Sequence, residues 1–107
     1  HIANYEIQKL TNQLEQQKDE AKAELMKSTR ALETLRLETT KNEQMAEQAK
    51  EALRILQDRY EEGLVSTTDL LRSQTQLAQT ELALAQSVFK RNVTKAYIEL
   101  LTETNRK

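Results

Sequence analysis

Residues 59–70 read RYEEGLVSTTDL and hold the one glycine of a chain that has no proline. Long runs of helix-forming residues flank this stretch, so it is the place where the chain can turn. Gly63 suits the left-handed residue just past a helix end, where a β-carbon would cost about 1 kcal/mol. Leu64 follows at a position that is often apolar. The stretch therefore predicts that a helix ends at about residue 62.

A second helix is predicted to begin directly after this turn. The Ser66 hydroxyl can accept a hydrogen bond from the backbone N–H of Asp69 while the Asp69 carboxylate reaches back, an acidic version of the capping box. Val65 and Leu70 have the spacing of a hydrophobic staple. This staple fixes the angle at which the chain enters the second helix.

The composition agrees with a hairpin and not with a globular domain. The chain has 107 residues, of which 37% are hydrophobic, 4% aromatic and 31% charged, too few apolar groups for a globular core. Strong helix formers throughout argue against disorder. We predict an all-α fold, a single long antiparallel two-helix coiled-coil hairpin over residues 1–107. The first and longer helix should span about 3–62, the turn 63–66, and the second helix about 67–105.

Several function classes are disfavoured by the residue content. Lys and Arg number 16 against 17 Asp and Glu, with the signs interspersed, whereas nucleic-acid binding needs a basic stripe. No apolar run approaches the roughly 20 residues of a membrane-spanning helix, so we expect no membrane contact by this segment. The single histidine is His1 and there is no cysteine. We therefore expect no enzyme, no cofactor and no metal site.

The first helix carries a heptad seam, a row of positions spaced alternately three and four apart that faces a partner helix. The seam that leads to the turn consists of Leu25, Ser28, Leu32, Leu35, Thr39, Asn42, Ala46, Ala49, Leu53, Leu56 and Tyr60. A phase break separates it from an upstream seam made of Ile7, Leu10, Leu14, Gln17 and Ala21. The second helix reaches back only to about Leu25. Residues from about 3 to 24 should therefore overhang the hairpin.

The second helix carries two apolar stripes, about 100° apart on its 3.6-residue period. The first stripe consists of Leu71, Ala78, Leu82, Ala85, Phe89, Val93, Ala96 and Leu100, and the second of Leu70, Leu77, Leu84 and Val88. A hairpin helix needs one stripe for its partner, so we expect the second stripe to face a neighbouring hairpin. Leu77 and Leu84 would then be exposed in a lone chain, which should self-associate. One wide apolar face is the alternative.

The turn and the sequence after it resemble a known family. Residues 53–66 read LRILQDRYEEGLVS, and the match continues with Asp69-Leu70-Leu71, Gln74, Leu77, Glu81, Leu82 and Ala85-Gln86. This is similar to the pattern R-Y-x-x-G-L-x-S-x-x-D-L-L-x-x-Q-x-x-L of the TolC-like outer membrane efflux proteins. In that family the pattern lies in the second structural repeat, at the periplasmic tip of a helical hairpin. The resemblance is strongest over about residues 46–101.

The resemblance implies a trimeric conduit that continues from the outer membrane as an α-helical barrel across the periplasm. Each subunit contributes two hairpins, whose tips converge into an aperture and meet the adaptor protein of an inner-membrane pump. We therefore expect a piece of a larger channel protein, a periplasmic segment of a bacterial outer-membrane protein. Its partners would be the adaptor at the tip and the neighbouring hairpins of the same channel.

The resemblance also assigns roles to residues at the tip. The candidates for partner binding are Tyr60, Gly63, Leu64, Val65, Ser66, Asp69 and Arg72. Tyr60 matches a tip tyrosine whose hydroxyl lies near the neighbouring hairpin and helps to hold the aperture closed. The alternative for Tyr60 is a seam aromatic with a solvated hydroxyl. Gly63, Leu64 and Ser66 match the turn of the family.

Three of these positions concern charge and contact at the aperture. Asp69 matches an acidic position that faces the aperture in some members. Arg72 stands where some members have a second acid, and Val65 where some have a basic residue, so an aperture locked by ion pairs is not implied. We expect Leu64 and Val65 to form an exposed apolar pair that contacts the adaptor.

These observations predict a non-enzymatic transport component, which acts as conduit wall and as docking tip. One alternative is the α-hairpin of a periplasmic adaptor, a family in which an Arg, a Leu and a Ser recur at seven-residue intervals around the tip. Here Ser66 follows Arg59 by seven residues without such a leucine. The other alternative is a generic coiled-coil interaction module, which would explain the heptads but not the motif at the turn.

Overall fold

The computed structural model describes residues 2–106, and the side chains of residues 2–104. They form helix α1 (Ile2–Glu61) and helix α2 (Thr67–Arg106), joined by a turn at 62–66, and hold no strand. The predicted all-α hairpin with a longer first helix is thereby confirmed. The chain divides into a tip unit, Glu33–Val93, and an end unit, His1–Leu32 with Thr94–Lys107, which are described separately below.

Helix α1 ends in a Schellman motif centred on Gly63. Gly63 has φ 77°, the left-handed conformation predicted from the sequence. The Leu64 N–H donates to the Arg59 carbonyl over 2.8 Å, and the Gly63 N–H to the Tyr60 carbonyl over 3.0 Å. These two bonds satisfy carbonyls that the end of a helix leaves without partners.

Helix α2 begins with Ser66 as its N-cap. The Asp69 N–H donates to the Ser66 hydroxyl over 3.1 Å, and the Leu70 N–H to the Ser66 carbonyl over 3.2 Å. Val65 and Leu70 are both half-buried, as a staple between the residue before the cap and the fourth helical residue requires. The chain therefore reverses within five residues, and both helix ends at the turn have partners for several of their terminal backbone groups.

Within the tip unit, the α1 seam lies where the heptad pattern predicts it. The buried or half-buried residues of α1 in this unit are Leu35, Thr39, Asn42, Ala46, Ala49, Leu53 and Leu56. The last predicted member, Tyr60, is 40% exposed beside the turn. The remaining positions of α1 between 33 and 61 are exposed. One row of side chains therefore makes the contact with α2.

The α2 seam of the tip unit differs from the prediction. Its heptad positions are Leu70, Ser73, Leu77, Thr80, Leu84, Ser87 and Arg91, all buried or half-buried. Leu77 and Leu84, expected to be exposed in a lone chain, pack against α1 instead. The stripe expected to pack against α1 is exposed at Leu71, Leu82 and Phe89. The predicted assignment of the two stripes is therefore wrong.

The reason is that small hydroxyl residues complete the seam. Thr39, Thr80 and Ser87 are among the most buried side chains, with 1%, 7% and 4% of their surface exposed. Each donates to a carbonyl of its own helix: Thr39 to Leu35 over 2.7 Å, Thr80 to Leu77 and Ser87 to Leu84 over 2.8 Å. A buried hydroxyl that is hydrogen-bonded in this way avoids the cost of an unsatisfied buried polar group. A count of apolar residues alone misses such a seam.

In the end unit, α1 meets α2 only over its last part. Ala21, Glu24, Leu25, Ser28 and Leu32 are buried or half-buried, as are Thr94, Ile98, Leu101 and Thr102 of α2. The Tyr97 hydroxyl donates to Glu24 Oε1 over 3.3 Å. Residues 2–20 are all exposed. The overhang therefore ends at about residue 20 and not at 24, because α2 side chains still reach Glu24.

Candidate functional site

The tip presents one large apolar side chain to solvent. Leu64, directly after the left-handed glycine, is 68% exposed. Val65 is half-buried, as is Leu70, in agreement with the predicted staple between them. The expected exposed pair of Leu64 and Val65 is therefore wrong for Val65. Contact with a partner at the turn would rest on Leu64 and on the polar residues beside it.

Tyr60 connects the end of α1 to the start of α2. Its hydroxyl lies 3.3 Å from Thr67 Oγ1, and either group can be the donor. The phenol ring thus closes the base of the turn within one chain. Its hydroxyl still has capacity for a second hydrogen bond, because a phenol both donates and accepts. A neighbouring chain could use that capacity at the tip.

The first two turns of α2 place their charged residues, Asp69 and Arg72, on the surface. Asp69 is exposed, and its backbone N–H is held by Ser66. Arg72, one turn later, lines a shallow open groove with Leu71, Thr75 and Gln79. One carboxylate and one guanidinium therefore lie close together beside the tip, so the surface there carries neither a net positive nor a net negative charge.

Helix α2 carries an exposed apolar face in the tip unit, which we call its outer face. We define it by its six residues, Leu71, Ala78, Leu82, Ala85, Phe89 and Val93, all exposed. Leu82 and Phe89 keep 59% and 68% of their surface in solvent. Between residues 73 and 89 the one charged residue is Glu81. Depletion of charge around exposed large side chains is typical of the centre of a protein interface.

The outer side of α1 in the same unit is charged. Arg54 forms ion pairs with Glu51 and with Asp58, one turn away on either side. The hydrogen bond from Arg54, followed by its charge, holds the pKa of Glu51 below its ordinary value. Lys50 lies 3.7 Å from Glu47. Exposed pairs of this kind contribute little stability and are typical of a solvated helix face.

The seam and the outer face of α2 lie on nearly opposite sides of the helix. The angle between their centres is about 150° on a 3.6-residue period. The sequence pattern suggested about 100°, because it omitted Ser73, Thr80 and Ser87 from the seam. Helix α2 therefore has a seam that packs against α1 and, nearly opposite to it, an apolar face that is exposed in the hairpin.

The end unit has an uncovered seam of its own. Its exposed large residues on the overhang are Ile2, Tyr5, Ile7, Leu10 and Leu14. Ile7, Leu10 and Leu14 follow heptad spacing, as predicted for residues that overhang the second helix. They form a second apolar surface, separate from the outer face of α2.

Neither a membrane span nor a metal cluster is evident in the described residues. Within residues 2–106, neither helix has a stretch long and apolar enough to cross a membrane. In the same range, no three His, Cys, Asp or Glu side chains come close enough to hold a metal ion. Comparison with known proteins finds no protein-family model, no curated protein and no solved structure that matches this chain.

Sequence reasoning missed one polar contact at the middle of the tip unit. Asn42 Nδ2 donates to Ser87 Oγ over 3.2 Å, across the helix interface. Asn42 was placed in the α1 seam, but Ser87 was not placed in any. The signal was present, because Ser73, Thr80, Ser87 and Thr94 recur every seven residues. This spacing is visible in the sequence, but only the burial of these residues in the structure identifies it as the seam.

Proposed function

We infer that the chain is a structural transport component: the periplasmic hairpin of a bacterial outer-membrane efflux channel, with a tip that docks a periplasmic adaptor. The observation that carries this proposal is the second packing face of α2. A hairpin that stood alone would need only the seam. An apolar outer face along the second helix suits an element that packs beside a neighbouring hairpin.

The angle between the two faces of α2 supports a wide assembly. A helix in a four-helix bundle meets its two neighbours at about 90°, and the angle widens as more helices join a ring. The value of about 150° on α2 suits a wall of many helices around a conduit. The neighbour in such a wall would be another hairpin of the same channel.

The geometry of the turn supports the docking role. The Schellman motif and the Ser66 cap hold the backbone of residues 59–70 in one conformation, so Leu64 is presented without a loss of loop freedom. One exposed leucine gives a weak contact. A ring of identical tips would multiply that contact, because the later binding events become intramolecular.

The charged outer side of α1 favours a second candidate function. Arg54, with its ion pairs to Glu51 and Asp58, does not resemble a surface that meets a neighbouring helix. A hairpin that packs only through α2 would suit a coiled-coil interaction module. This alternative keeps the outer face of α2 as the contact site and assigns no role to the tip.

Replacement of Leu64 by aspartate in the full-length parent protein tests the docking role. We expect efflux by cells to be lost while the abundance and the trimer of the channel are unchanged, since Leu64 makes no seam contact. Leu37→Asp is the matched control, because Leu37 on α1 is 66% exposed and lies away from the tip. Efflux that survives Leu64→Asp at normal channel abundance contradicts the docking role.

A further inference from the structure

We propose that the outer face of α2 is a dimerisation surface on which a second copy of this chain packs antiparallel. The proposal concerns the isolated hairpin and does not depend on the transport function. In the channel wall proposed above, where all tips lie at one end, a neighbouring hairpin would cover the same face instead. The second copy would cover a face that is exposed in the single hairpin, with its α2 running in the opposite direction and in one defined register.

The extent of the face fits a stable pair. From Leu71 to Val93 it covers 22 steps along the helix, or about 33 Å. Two such faces would remove on the order of 1,000 Å² from water, the lower bound for a specific interface. An isologous contact is the simplest way to cover an apolar face that occurs once per chain, because each copy then covers the other.

The sizes of the side chains select an antiparallel register. In this register Ala78 lies opposite Phe89 of the second copy, and Leu82 opposite its Ala85. In these two layers each large side chain meets a small one, and twofold symmetry repeats both layers. Interiors pack to high density when large and small residues face each other in this way.

A parallel pair would pack poorly by comparison. It would place Phe89 opposite Phe89 and Ala78 opposite Ala78. Leu82 and Ala85 would likewise each lie opposite their own copies. Layers of two large residues would force the helices apart, and layers of two alanines would then leave voids. Both effects destabilise a core.

The flanking residues are compatible with the antiparallel register. Gln79 lies opposite Gln86 of the second copy, where the two side-chain amides can hydrogen-bond. The two Glu81 residues are displaced from each other by about five residues, or roughly 7.5 Å along the axis. Arg72 lies opposite Val93, which its aliphatic stem can cover. No like charges meet directly across the interface.

The first experiment is sedimentation equilibrium on the purified chain at concentrations from about 1 to 100 µM. We expect a dimer, and we expect Phe89→Glu to raise its dissociation constant by about tenfold or more. Leu37→Glu is the matched control, because Leu37 and Phe89 are almost equally exposed, at 66% and 68%. A monomer at every concentration, or equal weakening by both variants, overturns the proposal.

The second experiment fixes direction and register through cysteine cross-linking. The chain has no cysteine, so Gln79→Cys and Gln86→Cys each introduce a single thiol. In a mixture of the two variants, mild oxidation should join position 79 of one chain to position 86 of the other, since disulfides need closely spaced backbones. A parallel pair would instead join Gln74→Cys to Gln79→Cys, and that outcome overturns the proposal. This readout holds even if Phe89→Glu weakens the fold.

The two proposals fail separately. Leu64→Asp should leave the dimer intact, because Leu64 lies outside the outer face of α2. Loss of efflux in that variant with an unchanged dimer supports both proposals. An absent dimer refutes only the pairing.

Discussion

The side-chain amide of Asn42 donates to the hydroxyl of Ser87 on the opposite helix, with 3.2 Å between Nδ2 and Oγ. The same amide lies 3.4 Å from the carbonyl oxygen of Ala83, one turn away on α2. Ser87 in turn donates to the Leu84 carbonyl, so its hydroxyl is both acceptor and donor. One asparagine thus ties the two helices together at a defined level of the tip unit, whereas the hydroxyls of Thr39 and Thr80 donate to carbonyls of their own helices.

Replacement of Asn42 by alanine should lower the free energy of unfolding by about 1 kcal/mol, the usual worth of a partly buried hydrogen bond. Thermal unfolding followed by circular dichroism measures the change. Gln44→Ala is the control, because it removes an exposed amide from the same helix. Equal midpoints for the two variants would show that the contact between Asn42 and Ser87 contributes nothing to stability.

Gly63→Ala should destabilise the hairpin by about 1 kcal/mol through the backbone alone. The φ angle of 77° disfavours a β-carbon, yet a β-carbon built at Gly63 would meet nothing within 4 Å. Gly63→Asn should therefore cost less than Gly63→Ala, since asparagine tolerates the left-handed region. Chemical denaturation of both variants tests the order. If alanine proves as good as asparagine, left-handed strain is not the cause.

Ser66→Ala should cost about 1 kcal/mol, because the Asp69 N–H would lose its side-chain acceptor. Ser66→Asp should retain most of the stability, since aspartate is an equally good N-cap. Thr68→Ala removes an exposed hydroxyl next to the cap and serves as the control. The expected order of thermal midpoints is wild type, then Ser66→Asp, then Ser66→Ala. A Ser66→Ala midpoint equal to that of wild type would contradict the cap.

The phenol of Tyr97 should ionise above the usual range. Partial burial, followed by the Glu24 charge and the hydrogen bond to Glu24, raises the pKa of Tyr97. A folded pKa above the unfolded one means that this contribution to stability is present below about pH 10 and is lost as pH rises through the folded pKa.

Ultraviolet titration with Tyr5 and Tyr60 both replaced by phenylalanine isolates the Tyr97 signal. Glu24→Gln should move its midpoint downward, because the carboxylate charge is removed while an acceptor oxygen remains. Lys22→Gln, which changes a charge at an exposed position two residues away, is the control. A midpoint unaffected by Glu24→Gln would exclude the carboxylate as a cause of the shift.

The turn could be predicted from sequence because its signals are local. Gly63 is the one residue of the chain free of a β-carbon, and Ser66 stands three residues before Asp69, so backbone sterics and capping chemistry suffice to place the reversal. The α1 seam could be predicted for a similar reason, since its leucines and alanines follow one heptad phase from Leu25 to Leu56. Both features depend on neighbours along the chain, and both appear where expected.

The α2 faces could not be assigned from apolar residues alone. Phe89 and Leu82 are larger than Thr80 and Ser87, so hydrophobicity places the wrong stripe in the seam. The observation that decides between them is burial: Thr80 and Ser87 are buried, whereas Leu82 and Phe89 are exposed. Leu64 is exposed while Val65 is half-buried, and this difference likewise depends on packing, here of Val65 near Leu70 on the other side of the N-cap. These outcomes depend on packing in three dimensions, to which the sequence contributes only side-chain size.

The hydroxyl seam has a thermodynamic consequence. The buried apolar side chains of the described residues are Leu32 and Ala46, whereas Ser28, Thr39, Thr80 and Ser87 are buried polar ones. Exposure of apolar surface raises the heat capacity of unfolding, and exposure of polar surface lowers it. The heat-capacity change on unfolding of this hairpin should therefore lie below the usual value of roughly 12–15 cal/mol/K per residue. The curve of its free energy of unfolding against temperature would then be broad and shallow. The free energy of unfolding would therefore change little between low and moderately high temperatures.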